Sequence, residues 1–442
     1  MHKLGDIDNN FLATLTKGHI KPTLGGDPEF FVADKNNKIL ASDKFFPSKH
    51  NPLLIKSCSS SEPAAKPNEV FFDGIQAEIA IGCNRCREYL ATNVARCMKV
   101  IREKIGPENH IIMQPAVRVQ KSVINSADPE AKIFGCLPDF NAYTLTTNTA
   151  EMDATRHPYR YAGGHIHIGI SSPYIKKTQN EYKIAKTEEG HIEIIKFLDL
   201  FVGIPSVLLD SGKGSKERRA KYGKAGCFRP TPYGVEYRTL SCWWLKSPIT
   251  LSLVYGLARI AWSIMASDDG KAETIKKQIK YNEEQIRNTI DSGDKKEAQR
   301  IWRMIRPYML VYGTVNGNPL HIHAMISNRN NSVAELDHIQ YPSSLRVRAK
   351  RIKKAGKRGE MPETEDPIKA DEKVVFGIAA FEYMLKNGLG HMISDDAFEE
   401  WSSVIDNTGS LNACNGFATY MFKRLHNDKD FEQFQRSLFK TL

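Results

Sequence analysis

Apolar and polar positions alternate in several stretches of the chain, and three of these stretches carry ionisable side chains two residues apart. LGGDPEFFVAD and KILAS flank the polar turn KNNK and predict a β-hairpin. EVFFDGIQAEIAIG predicts a second hairpin, with Asp73-Gly74 as its tight turn. GGHIHIGI and YGVEYRTLSCWWL predict two further strands, and IIMQPAVRV a short one. In a strand, residues i and i+2 share a face. Asp27 therefore stands beside Glu29, His165 beside His167, and Glu236 beside Arg238. A sheet face that gathers these groups is too polar for a core and suits divalent metal and phosphate.

Between the strands the apolar period becomes helical. Residues 85–105 form an amphipathic pattern, and residues 190–210 predict an apolar helix broken near Gly203 and Pro205. Residues 249–267 predict a buried helix, and residues 271–310 a charged helical region. GCLPDFNAYT is loop-rich. Residues 327–370 combine polarity, basicity and proline and predict a linker or mobile loop. The helical pattern returns from residue 371. Strands that come as hairpins separated by helices, without regular βαβ alternation, predict an α+β fold with a largely antiparallel sheet. The expected division is a catalytic domain over residues 1–326, the basic linker 327–370 and a helical C-terminal region 371–442. GxxxxGK[ST] and a helix-opening GxGxxG are both missing, which weighs against P-loop and dinucleotide folds.

Composition changes this picture in two places. Hydrophobic residues make up 41% of the 442 residues, enough for a well-buried core. No apolar run reaches the length of a membrane span and no signal-peptide pattern opens the chain, so a soluble, cytoplasmic protein is expected. The net charge of +11 fits a polyanionic partner, but much of the excess lies in Arg346–Arg358. That run reads as a solvated linker, with polyanion contact as the alternative. Cys83 and Cys86 form a lone CxxC at a helix start; without a second pair it reads as packed thiols rather than zinc or redox chemistry.

The candidate chemistry lies in the paired positions. Asp27 and Glu29, next to Gly25-Gly26, either hold hard cations or face water from an edge strand. Glu78 sits in an apolar run where an ionised carboxylate is costly unless paired or coordinating. Asp73 reads either with it or as turn chemistry. His165 and His167, framed by glycines, read as half of a metal site, whereas His321 and His323 lack that framing and read as structural. Glu236 and Arg238 read as an ion pair or as a metal ligand beside a phosphate clamp. The preceding glycine-rich segment favours the clamp: it gathers Arg218, Arg219, Lys221, Lys224 and Arg229, as phosphoryl transfer requires. A metal-dependent hydrolase or nuclease, and a non-catalytic polyanion-binding protein, are the competing readings. GxSxG and Cys–His signatures are both missing.

Taken in order, GGDPEFF, FFDGIQAEI, GGHIHIG and YGKAGCFRPTPYGVEYRTLS resemble the phage-encoded COOH-NH2 ligases, amidoligases of the glutamine synthetase and glutamate–cysteine ligase superfamily. The resemblance spans about residues 24–245. It implies a curved, mainly antiparallel sheet whose concave face binds ATP and two or three Mg²⁺ ions. It also implies phosphorylation of a carboxylate, followed by attack of an amine, with ADP and phosphate released. Under this resemblance Asp27, Glu29, Glu78, Glu236 and a histidine of the pair, His165 with His167 as the alternative, hold metal. The resemblance sets His165 or His167 near the nucleotide phosphates and Arg238 at the transferred group; the basic segment adds Arg218 and Lys221 as candidates for the nucleotide and Arg229 and Arg219 for the transferred group. The first pair departs from the superfamily pattern, being Asp-Pro-Glu where the better-known enzymes have two glutamates. Small-molecule or peptide carboxylates and amines are the implied partners.

Overall fold

Long-range strand pairing organises the chain around one strand. In this computed structural model the described residues are 22–313, apart from the short segments 58–65, 85–86, 133–138, 149–156, 171–178, 211–213, 247 and 268–269. The linker, the basic run 346–358, the C-terminal region, His321, His323 and Cys86 lie outside the described residues.

The strands are β1 (Thr23–Asp34), β2 (Ile39–Leu40), β3 (Leu53–Ile55), β4 (Asn68–Asp73), β5 (Gln76–Asn84), β6 (Asn109–Ile112) and β7 (Ala116–Arg118). They continue with β8 (Asp139–Asn141), β9 (Thr147–Asn148), β10 (Tyr159–Tyr161), β11 (Gly164–Gly169), β12 (Cys227–Thr231) and β13 (Gly234–Tyr237). An 11-stranded sheet runs β3-β4-β5-β1-β11-β13-β12-β8-β9, with β2 and β6 also paired to β1. Its named pairings are antiparallel, and β7 and β10 form a separate two-stranded sheet. The fold is α+β with a large antiparallel sheet and flanking helices.

β1 is long enough to serve two neighbourhoods. Its first half lies between β5 and β11; its second half, Phe31–Asp34, pairs with β6, and Val32 and Ala33 also pair with β2. The second half is fully apolar from Phe30 to Ala33, and all four residues are buried. The hairpins expected around KNNK and Asp73-Gly74 form as β1–β2 and β4–β5. Gly74 takes φ +68°, the left-handed conformation that makes glycine the favoured residue in so tight a turn. IIMQPAVRV divides into β6 and β7, with Pro115 between them.

One face of the sheet is apolar. Ile166, Ile168, Val235 and Tyr237 point to it, buried beneath the helices Glu188–Leu198 and Pro248–Ala266. Thr187 opens the first of these helices: its hydroxyl accepts the N–H of Gly190. The break expected near Gly203 and Pro205 does not occur. The chain stays helical by widening into a π-turn at Asp199–Gly203 and resumes as Ile204–Leu209, with Pro205 in that segment's first turn. The charged region after residue 270 forms three helices, Lys271–Gln278, Glu283–Ser292 and Lys295–Gly313. Gly293 closes the middle one with φ +68°. No helix among the described residues is long and apolar enough to cross a membrane.

Candidate active site

The other face of the sheet is polar, and strand register decides which polar groups meet. Asp27 of β1 lies opposite His165 of β11, and Glu29 lies opposite Glu78 of β5. His167 lies opposite Glu236 of β13, which in turn faces Arg229 of β12. Five strands thus bring together residues far apart in sequence. Close backbone approach makes room for this. Gly163, just before β11, donates its N–H to Glu29 Oε2 at 2.6 Å, and a Cβ there would strike the His165 ring. The glycine is needed for space rather than for its backbone angle.

Two groups of potential ligand atoms result. Asp27, His167 and Glu236 each offer an atom within 4.8 Å of the others, and so do Glu29, Asp73 and Glu78. Oxygen donors dominate both groups, with one imidazole in the first, which suits hard divalent cations. In the first group His167 Nε2 lies 2.8 Å from Asp27 Oδ2, and its Nδ1 lies 2.6 Å from the Tyr233 hydroxyl. Burial disfavours a charged His167, but Asp27 beside it outweighs this and raises its pKa. The second group is a set of like charges. Burial, then the Asp73 charge, pushes Glu29 up to about 7, against the Gly163 N–H and two guanidinium groups. Glu78 is held well above the usual carboxylate range by burial and by four neighbouring acids. Burial also raises Asp73, with Lys49 3.8 Å away as a partial counter-charge. Carboxylates crowded in this way are the arrangement that a cation relieves.

Guanidinium groups border the first group. Arg229 Nη1 donates to Glu236 Oε2 at 2.9 Å, and Arg238 Nη1 donates to Glu236 Oε1. Arg238 also donates to the Tyr222 hydroxyl at 2.9 Å and sets its Nε 3.4 Å from Asp139. Burial opposes the charge on Glu236, but its neighbours His165, Arg238 and His167 outweigh it and hold the carboxylate well below its ordinary range. His165 Nε2 lies 2.6 Å from the Tyr222 hydroxyl and its Nδ1 lies 3.2 Å from Glu236. Burial, then Arg238, lowers the His165 pKa to about 3, so the ring is neutral at pH 7. Tyr222 accepts from Arg238 and donates to Nε2, which leaves Nδ1–H to donate to Glu236.

The expected residues divide accordingly. Asp27, Glu29, Glu78, Glu236, Arg229 and Arg238 meet on one face. The histidine that joins the acids is His167; His165 lies beside them, tied to Tyr222 and Glu236. Asp73 belongs with Glu29 and Glu78 and is more than a turn residue. Arg218 spends its guanidinium on the carbonyls of Thr239 and Arg238, and Arg219 on Asp210 at 3.7 Å. Neither is thereby aimed at the acids. Lys221 and Lys224 are exposed. Cys83 is exposed near the end of β5, rather than packed at a helix start. Tyr222, Tyr233 and Asp139 escaped the sequence reading, because strand periodicity assigns no partner to a loop tyrosine or to a strand of only three residues.

Residues 186–335 match the family of phage phiEco32-like COOH-NH2 ligases, type 2. The matched segment carries Glu236, Arg238, Arg229 and both tyrosines. It is about a third of the chain, and the motifs around Asp27, Glu78 and His165 lie before it. The match thus reaches the same carboxylate–amine ligase family through residues that overlap only the last of the four resembling motifs. Among solved structures, one similar chain is a bifunctional glutathione synthetase from Pasteurella multocida, at 11% identity and a TM-score of 0.36. The alignment covers 73% of this chain and 54% of that one, so this chain spans about half of that protein's length. No curated protein matches the chain.

Proposed function

We propose that this chain is an ATP-dependent carboxylate–amine ligase that forms an amide through an acyl phosphate and uses Mg²⁺. The observation that carries this reading is the pair of ligand groups, Asp27–His167–Glu236 and Glu29–Asp73–Glu78, side by side on one sheet face with Arg229 and Arg238 at the edge of the first. The donor set fits Mg²⁺: five carboxylates and one imidazole, several crowded beyond what carboxylates tolerate without a counter-charge. When bound, Mg²⁺ neutralises phosphate oxygens.

The reaction asks little covalent chemistry of the protein. A carboxylate oxygen of the substrate bonds to the γ-phosphorus of ATP as the bond to the bridging oxygen breaks, and ADP departs with that electron pair. The amine nitrogen then bonds to the acyl carbon as the carbon–oxygen bond to phosphate breaks, and a proton is released. Arg238 and Arg229 supply fixed positive charge beside the transferred group. Glu236 holds both guanidiniums in place, and the neutral His165 ring holds Glu236 in turn. Lys221, exposed at the end of its helix, is free to reach a nucleotide at the rim.

Oxygen-18 placed in the substrate carboxyl group tests this mechanism, with amide formation followed by mass spectrometry over a panel of carboxylates and amines. Label should appear in the released phosphate, with ADP as the nucleotide product. Label in AMP would indicate adenylation instead. Metal-dependent hydrolysis without ATP would favour the hydrolase reading.

A further inference from the structure

Each histidine of the HxH pair is tied through one ring nitrogen to a tyrosine of the segment 222–233: His165 to Tyr222 and His167 to Tyr233, both at 2.6 Å. The second tie has a consequence for cation binding. We infer that Tyr233 is a positioning residue, whose hydroxyl holds the His167 ring so that Nε2 is offered to a cation shared with Asp27 and Glu236. This inference rests on the metal reading of the site.

The geometry is specific. Tyr233 lies nearly parallel to the His167 ring, with centroids 6.0 Å apart and planes at 27°. Its hydroxyl meets Nδ1, while Nε2 on the far side of the ring meets Asp27 at 2.8 Å. A histidine can ligate through Nε2 only if the proton sits on Nδ1, and an acceptor at Nδ1 favours that tautomer. Tyr233 supplies that acceptor.

Tyr233 is itself well anchored. It occupies the two-residue turn between β12 and β13, where Thr231 pairs with Gly234. Pro232 before it fixes its own φ in the negative range that the first central position of a type I or II turn takes. The Tyr233 carbonyl accepts the N–H of Ile170 at 2.8 Å, and Lys186 donates to the Pro232 carbonyl. Gly169 lies against that turn so closely that a Cβ would fall 2.0 Å from the Tyr233 carbonyl oxygen. The hydroxyl is thus presented from a turn pinned on both sides.

The test is a Mn²⁺ titration of the full-length chain without nucleotide, by calorimetry and electron paramagnetic resonance. Wild type should bind in two classes, one for each group of ligands. Tyr233→Phe should weaken one class by about ten- to a hundredfold, the usual cost of losing such an outer contact. The class that contains Glu29, Asp73 and Glu78 should be unchanged and serves as an internal control. In a His167→Asn background, Tyr233→Phe should add no further loss, because the two residues act as one unit. Unchanged Mn²⁺ affinity in Tyr233→Phe would overturn the assignment alone. Equal weakening of both classes would also overturn it, since that marks a general structural role. Wild-type protein that takes up no Mn²⁺ would overturn the metal reading and this assignment together.

Discussion

Glu29, buried, and Glu78, half-buried, stand directly opposite each other on neighbouring strands. Like charges in that position destabilise a sheet. The pair therefore predicts an unusual pH response. The folded pKa of Glu29, about 7, lies above the ordinary value of 4.5. A raised carboxyl binds its proton more tightly in the folded state, so stability is greatest below the unfolded value and falls as pH rises through the folded one. Without divalent cations, Glu29→Gln should be more stable than wild type at pH 7, and the advantage should close toward pH 4.5. Thermal melts across that range, with and without Mg²⁺, measure it. Mg²⁺ should raise the melting temperature of wild type more than that of the variant.

Glu236→Gln should lower turnover by roughly a hundredfold or more, the usual cost of removing one fixed charge from a transition-state cluster. It should also lower stability, because Arg229, Arg238 and His165 lose the carboxylate they share. The folded pKa of Glu236 is depressed, so its stabilising effect is present above the unfolded value and lost as pH falls through the folded one. The difference in melting temperature between wild type and variant should be largest near neutral pH and shrink in strong acid.

Arg238→Lys should reduce turnover by about tenfold or more, equivalent to about 1.4 kcal/mol. A lysine retains the charge but cannot reach Glu236 and Tyr222 together with a planar fork. Steady-state kinetics at saturating substrate would read the effect, and near-normal turnover would indicate that the arginine serves only as a structural partner of Glu236.

The two histidines should separate by readout. His167→Asn should weaken Mn²⁺ binding, because His167 belongs to a ligand group. His165→Asn should weaken Mn²⁺ binding less than His167→Asn while impairing turnover, because His165 touches the ligand Glu236 and Tyr222 rather than a cation position. Reversed outcomes would exchange the two roles.

On the opposite face of the sheet, Tyr237 donates to Asp199 Oδ1 at 2.6 Å, and Thr239 reaches the same oxygen at 3.3 Å. Burial pushes Asp199 up to about 7 even with these donors. Tyr237→Phe should cost roughly 1–3 kcal/mol, since it leaves a buried carboxylate short of a partner. Differential scanning calorimetry should show a melting temperature several degrees lower.

Much of the site was legible because period-two alternation fixes faces. Asp27 with Glu29, and Glu236 with Arg238, are assigned to one side by spacing alone, and both hairpins carry their turn residues. Register is a different quantity. Alternation places His165 and His167 on the same face, but which of them meets Asp27 depends on how β11 aligns with β1 and β13. Asp73 reads either with Glu78 or as turn chemistry until the folded sheet sets it beside Glu78 and Glu29. The π-turn escaped notice because Gly203 and Pro205 are ordinary breakers in sequence, and only packing on both sides keeps the helix going.

The double pairing of β1 also sets the order in which the pieces can come together during folding. Asp73 and Glu78 share the β4–β5 hairpin, and only the short strands β2 and β3 separate Glu29's strand from that hairpin, so their side of the sheet closes over shorter loops than the other. Asp27 must wait for His167, which lies 140 residues further along the chain, and Glu29 finds the N–H of Gly163 across 134 residues. Closing such long loops costs entropy before any contact offsets it, and contacts so distant in sequence form slowly. The docking of β11 onto β1 is therefore expected to follow the closing of the β4–β5 hairpin. Until it occurs, the half-built sheet shows the unpaired edge of β1 to solvent, the arrangement most prone to pairing with another chain.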